Sequence, residues 1–174
     1  MIFKPFPLLQ TQRLILREPQ IADWPVVSHL RTDSYINRFV KRSSAETEEK
    51  AKEFIENALA NMAKDELVNW FICLKEDPKM IGSICLWNIS ADRKTAEIGY
   101  DLDAPFWGKG IMDEAMQAVI NYGFDILKLD NIEAYTSYGN SASLGLLRKN
   151  GFKLNKEKTD ADNPDNRIFE LIRF

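Results

Sequence analysis

The segment that most constrains this chain runs Trp107-Gly108-Lys109-Gly110-Ile111-Met112-Asp113-Glu114. A strand-like run, Thr95 to Leu102, leads through Pro105 and Phe106 into the Gly-Lys-Gly turn. The turn opens a helical pattern from Ile111 to about Phe124, with Ala115, Ala118, Val119 and Tyr122 on one side. The first N–H groups of a helix have no partner within it, and with the helix dipole they offer a seat to an anion. Gly108 and Gly110 let phosphate oxygens approach the main chain, and Lys109 adds a positive charge. The expected ligand is a pyrophosphate. Taken alone, a Gly-x-Gly turn before a helix is more often just a turn; the segment is neither GxGxxG nor a GxxxxGK(S/T) phosphate loop.

The elements around the turn predict one α/β domain over residues 1–174 with a single sheet. Leu14-Ile15-Leu16-Arg17 reads as a first strand and Ile21 to Leu30 as a helix with Asp23 near its start. Ser44-Ala45-Glu46-Thr47 opens a second helix, capped by Ser44, with Ala51, Phe54, Ile55, Ala58, Leu59 and Met62 at helical spacing. Asn69 to Lys75 and Met80 to Trp87 form a hairpin about a Glu76–Lys79 turn, and Thr95 to Leu102 is the third strand of the run. Asn131 to Thr136 is a further strand. Ser141 to Lys149 is a short helix closed by Asn150-Gly151, and Phe152 to Lys158 and Arg167 to Phe174 complete the sheet. The order is β α α β β β α β α β β.

A formal net charge of -3 argues against nucleic acid as a partner, since phosphate-backbone binding leaves a basic footprint. Prolines break the N-terminal Met1–Pro7 stretch before a signal-peptide core forms, and no apolar run reaches membrane-spanning length. A cytoplasmic location with no membrane partner is the expectation. Cys73 and Cys85 form no CxxC pair and no metal-ligand pattern, so no metal is expected. The single histidine, His29, lies in a helix without an accompanying nucleophile motif and reads as structural. Asn140 suits the N-cap of the Ser141 helix, or an amide partner for a ligand amide.

Five stretches resemble the GNAT acetyltransferases of the ribosomal-protein N-terminal type, RimJ/RimL, in order and spacing. They are Gly82-Ser83-Ile84, Ala96-Glu97-Ile98-Gly99-Tyr100, Phe106-Trp107-Gly108-Lys109-Gly110, Asn140-Ser141-Ala142-Ser143 and Lys149-Asn150-Gly151-Phe152; Thr11 to Arg17 looks like that group's opening strand. The resemblance implies a central mixed, mostly antiparallel sheet of about seven strands flanked by about four helices. It also implies a splayed pair of strands, Thr95–Leu102 and Asn131–Thr136, holding acetyl-CoA as cosubstrate. Main-chain groups of Gly108, Lys109, Gly110, Ile111, Met112 and Asp113 would hold the pyrophosphate, and those of Tyr100, Asp101 and Leu102 the pantetheine arm. Asn140 would hydrogen-bond that arm and Ser143 would sit near the thioester sulfur. Asp113 departs from the family's usual hydroxyl and has to point away from phosphate. Leu147 stands where many GNAT enzymes carry an acid tyrosine, which leaves Ser143 as the substitute.

Glu97 is the candidate general base acting through water, or a surface carboxylate on a half-buried strand; alternation places it with Gly99, opposite Ala96, Ile98 and Tyr100. A protein α-amine, with a pKa of about 7.7–8.0, is neutral in roughly a tenth of molecules at pH 7, whereas a lysine near 10.4 is almost wholly charged. An N-terminal acceptor therefore needs only a weak base; the resemblance implies a primary amine, the N-terminal α-amine of a protein of the ribosomal type, as the acceptor, acetylated by direct attack on the thioester. Tyr35 to Arg42 and the acidic Asp160 to Asp165 loop would border it by the same resemblance; read from its residues, the acidic loop is first a solvated turn between two strands, and otherwise a lure for a cationic substrate. A small amine acceptor, such as an antibiotic or polyamine, and a non-catalytic acyl-CoA-binding module are the alternatives. Both monomer and homodimer remain open.

Overall fold

The computed structural model describes residues 2–173. Its elements follow the alternation of apolar and polar residues. Leu14 and Leu16 of β2 (Leu14–Arg17) are fully buried while Ile15 and Arg17 are half-buried. β3 (Val68–Leu74) reads as a near-continuous apolar run because both of its faces are covered: Trp70 and Ile72 join one core, Phe71 the other. With β1 (Leu9–Gln10), β4 (Asp77–Trp87), β5 (Thr95–Leu102), β6 (Asn131–Ser137), β7 (Lys153–Asn155) and β8 (Asn166–Ile172) these strands form one eight-stranded sheet, ordered β1-β2-β3-β4-β5-β6-β8-β7. All neighbours are antiparallel except β5 and β6. The strand beyond the seven expected is the two-residue β1.

Four α-helices flank the sheet: α1 (Trp24–Thr32), α2 (Glu48–Ala63), α3 (Ile111–Asn121) and α4 (Ser141–Lys149). α3 and α4 cover one face, where Ile111, Met116, Val119 and Leu147 meet Leu16, Ile84, Ile98 and Ile132 in the larger core. α1 and α2 pack together over β3 and β4 on the other face, around Val27, Leu30, Ile55 and Phe71. No helix covers β5, β6 and β8 on that second face, so the half-buried polar residues Glu97, Glu133 and Glu170 stand there.

Three local expectations are corrected. The cap of α2 is Thr47, whose hydroxyl accepts the Lys50 N–H at 3.2 Å; Ser44 lies one turn too early and bonds the Glu46 carboxylate instead. The hairpin closes on Lys75-Glu76, since Leu74 pairs with Asp77, and Pro78 lies inside β4. Pairing of β4 with β5 begins only at Gly82, so the missing N–H of Pro78 breaks no bond on that side. The helix expected through Phe124 is α-helical to Asn121 and continues as one π turn, Tyr122–Ile126. Among the described residues no helix is long and apolar enough to cross a membrane, and no group of His, Cys, Asp and Glu could hold a metal ion.

Candidate active site

β5 and β6 are paired at only three positions, Thr95 with Asn131, Ala96 with Ile132 and Glu97 with Glu133. Both strands continue, β5 to Leu102 and β6 to Ser137, each held by its other neighbour. From Ile98 onward the two backbones diverge, and the edge that β5 turns to β6 carries main-chain groups with no ladder partner. Tyr100 and Leu102 turn their main-chain groups to this edge, the Leu102 carbonyl being taken by Trp107, whereas Asp101, expected there too, turns its main chain to β4 as Asp103 does in bonding Ile81 O.

At the mouth of the gap, Trp107 donates its indole N–H to the Leu102 carbonyl at 2.7 Å, pinning the chain that leaves β5. Gly108 and Gly110 then take φ of 71° and 72°, a left-handed conformation that side chains with a Cβ resist. A Cβ on Gly108 would meet nothing within 4 Å. The first amide of α3 bonded within the helix is that of Glu114, to Gly110 O at 3.1 Å. The N–H groups of Ile111, Met112 and Asp113 are thus left at the positive end of the helix while the Ile111 and Met112 side chains are buried. Lys109 is exposed, with its ammonium 5.8 Å from the Phe106 ring.

Asp113 points away from this end. Its carboxylate accepts from Lys149 Nζ at 2.7 Å and Asn150 Nδ2 at 2.8 Å, tying the start of α3 to the end of α4. The Lys149 contact, with Asn150 adding to it, holds its pKa below the usual carboxylate value. Arg13 was not singled out from the sequence. Its Nε binds Glu114 at 2.6 Å and its Nη1 donates to the Lys109 carbonyl at 2.9 Å, bracing the glycine turn from beneath. The adjacency of Thr11, Arg13 and Glu114 is a tertiary fact, separated by about a hundred residues of chain.

On the α4 side, Asn140 caps the helix: its Oδ1 accepts the Ser143 N–H at 3.1 Å. The cap uses the carbonyl oxygen and leaves the amide donors. Ser143 is buried, and its Oγ lies 2.7 Å from the Tyr100 hydroxyl and 2.9 Å from Thr136 Oγ1, which donates to it. Tyr100 belongs to β5 and Thr136 to β6, so the three hydroxyls span the gap where the strands part. Burial pushes the Tyr100 phenol up to about 12. Sequence reasoning named Tyr100 for its main chain only and passed over Thr136. Both are the inward-facing residues of their strands, which alternation alone marks as core.

Glu97 lies on the opposite face of the sheet from this trio, beside Trp87 on β4 and Glu133 on β6. Burial raises its pKa to about 7, the charges of Glu133 and Asp160 add to the rise, and a hydrogen bond from Asn88 opposes it. Glu133 is paired in turn with Lys158, which also binds Glu170. The Asp160 carboxylate is engaged by the Asp162 and Asn163 amides and by Asn166 Nδ2, as in a self-contained turn. Across the open face, Arg42 ties the 33–42 loop to the sheet through Asp101 at 2.7 Å, and Asp101 also holds Ser83. Lys41 reaches Asn163 at 3.4 Å, linking the two loops expected to border an acceptor. His29 is bonded to Asp103 at 2.9 Å, and desolvation pushes the Cys85 thiol up to about 12, far from a ready nucleophile.

The sheet is thus opened between two parallel strands, with a glycine-flanked helix start at its mouth. The family described as acetyltransferase (GNAT) domain matches residues 13–153, and the chain belongs to this family. It is 30% identical over 167 residues to N-acetyltransferase p20 of Bacillus licheniformis, a protein itself uncharacterized, covering 95% of this chain and 93% of the relative. It is 37% identical over 84 residues to the ribosomal-protein-serine acetyltransferase of Escherichia coli, covering 48% of this chain and 46% of that protein. The structure of RimL, a ribosomal-protein α-N-acetyltransferase solved with coenzyme A, superposes with a TM-score of 0.79 at 20% identity, covering 95% of this chain and 97% of that one. At that identity the likeness speaks for the fold. The chain is accordingly an N-acetyltransferase of the GNAT family.

Proposed function

We propose that this protein, acting as one domain over residues 1–174, transfers the acetyl group of acetyl-CoA to the N-terminal α-amine of a protein. The observation that carries the reading is the parting of β5 from β6 after three residue pairs, beside a helix start with three free amides. The residues present fit such a cosubstrate. The space open beside Gly108 suits a pyrophosphate on the Ile111–Asp113 amides, and the free edge at Tyr100 and Leu102 suits the amides of a pantetheine arm. Lys109 supplies a mobile cation and the Asn140 amide a donor. Acetyl-CoA, when bound, supplies an activated acyl group on a thiol leaving group.

The chain's own part is proton handling and alignment. Glu97, half-ionised near pH 7, accepts the amine proton through water. The C–N bond forms as the C–S bond breaks, and Ser143 offers its hydroxyl to the departing sulfur. A thiol with a pKa of roughly 8.5 leaves as thiolate with modest help. With a base this weak, the acceptor has to be substantially neutral beforehand. At pH 7 an α-amine has on the order of a hundredfold more neutral form than a lysine side chain. The RimL and Escherichia coli names point the same way.

The test is a panel of free N-terminal peptides, the same peptides blocked at the N-terminus but carrying lysine, and small polyamines, each followed by thiol release from acetyl-CoA. Free N-terminal peptides are expected to lead in kcat/KM. Polyamines turning over fastest would move the acceptor to the small-molecule class, and CoA binding without turnover of any amine would leave a binding module.

A further inference from the structure

The three hydroxyls in the gap form a closed set around one oxygen. A serine Oγ carries one hydrogen and two lone pairs. Thr136 Oγ1 fills one lone pair of Ser143 from β6, at 2.9 Å. The Tyr100 hydroxyl approaches from β5 at 2.7 Å, where either oxygen could donate. A phenol is a better donor and poorer acceptor than an alkyl hydroxyl, so the favoured arrangement has Tyr100 donating and fills the second lone pair. Ser143 then keeps a single free direction, and only a hydrogen lies along it.

We propose that Tyr100 and Thr136 are positioning residues that make Ser143 a donor-only hydroxyl, with its hydrogen held toward the gap between β5 and β6. The proposal rests on the reading that CoA sulfur is seated near Ser143. A hydroxyl whose lone pairs are both taken cannot act as a base or nucleophile; it can only stabilise negative charge. No proton need leave it, because the sulfur departs as a thiolate and the amine proton goes to Glu97. Burial keeps the Tyr100 phenol protonated throughout the physiological range, so the arrangement does not titrate away. Two different strands each supply one donor to one buried oxygen, which fixes the hydroxyl rotor that a lone serine would leave free.

The experiment is a titration of the thiol of bound CoA by its thiolate ultraviolet absorbance, in the wild type and in Tyr100→Phe, Thr136→Val and Ser143→Ala. It needs neither an acceptor nor turnover. Bound CoA is expected to titrate about one pH unit lower on the wild type than on Ser143→Ala, with both positioning variants moved toward the Ser143→Ala value. In turnover, the same two variants should lose kcat by roughly tenfold with KM for acetyl-CoA little changed. If Ser143→Ala shifts the thiol but Tyr100→Phe and Thr136→Val both match the wild type, the positioning role is wrong and the site reading stands. If CoA fails to bind, or Ser143→Ala titrates like the wild type, the placement of Ser143 at the sulfur fails and the inference goes with it. Thr136→Val keeps the test decisive if Tyr100→Phe does not fold.

Discussion

At the residue scale, Glu97 carries the clearest titration signature. Its folded pKa of about 7 lies above an ordinary glutamate value, so the folded protein holds an extra proton between roughly pH 4.3 and 7. The stabilisation linked to that proton is fully present below the unfolded pKa and is lost as pH rises through about 7. Glu97→Gln is therefore expected to leave Tm nearly unchanged at pH 4 and to raise it at pH 8, as calorimetry would read. In kinetics the wild-type kcat/KM should rise through two ionisations, Glu97 near pH 7 and the acceptor α-amine at about 7.7–8.0, and Glu97→Gln should lose the limb near pH 7 along with on the order of a hundredfold in rate. A variant that keeps the limb would move the base elsewhere. Glu97 was legible from the alternation of one strand. Its neighbours were not: Glu133 and Asp160, which raise its pKa, come from distant parts of the chain. The direction of Asp113 was likewise visible only as a requirement, and Lys149 with Asn150 supplies it.

At the element scale, the Gly108–Gly110 turn and the helix behind it were the most legible feature, because a left-handed glycine and a helix start are local matters. The same locality explains α4, whose bounds and Asn140 cap agree with the expectation. The cap of α2 was misplaced because Ser44 and Thr47 both satisfy the local rule, and the Lys50 amide decides between them. The glycine turn makes a paired prediction. Gly108→Ala forces a Cβ residue to φ 71° and should cost about 1 kcal/mol, lowering Tm by roughly 2–4 °C and raising KM for acetyl-CoA several-fold. Gly145→Ala, on the exposed face of α4 with nothing within 4 Å, should instead raise Tm by a similar amount with KM unchanged. A stable Gly108→Ala with normal KM would sink the phosphate role of the turn.

At the scale of the whole molecule, the sheet divides the work. One face, under α3 and α4, holds the larger core and the Tyr100–Ser143–Thr136 trio; the other, under α1 and α2 only as far as β4, leaves Glu97 beside an open surface. In the proposed reaction the amine and the thiol would thus be approached from opposite sides of the same gap. Strand and helix order could be read from the sequence, and the resemblance named the splayed pair; the extent of the parting is set by where β8 and β4 hold their partners, a property of the assembled sheet. The central claim, that this gap and the helix start beside it receive acetyl-CoA, is tested most directly by thermal unfolding with acetyl-CoA titrated in and ATP as control. A ligand at about a hundred times its Kd adds roughly 2.7 kcal/mol, which is on the order of 5–10 °C for a chain of this size. A saturating rise of that size with acetyl-CoA and little with ATP is expected; no rise, or an equal rise with ATP, would rule out the gap as an acetyl-CoA site.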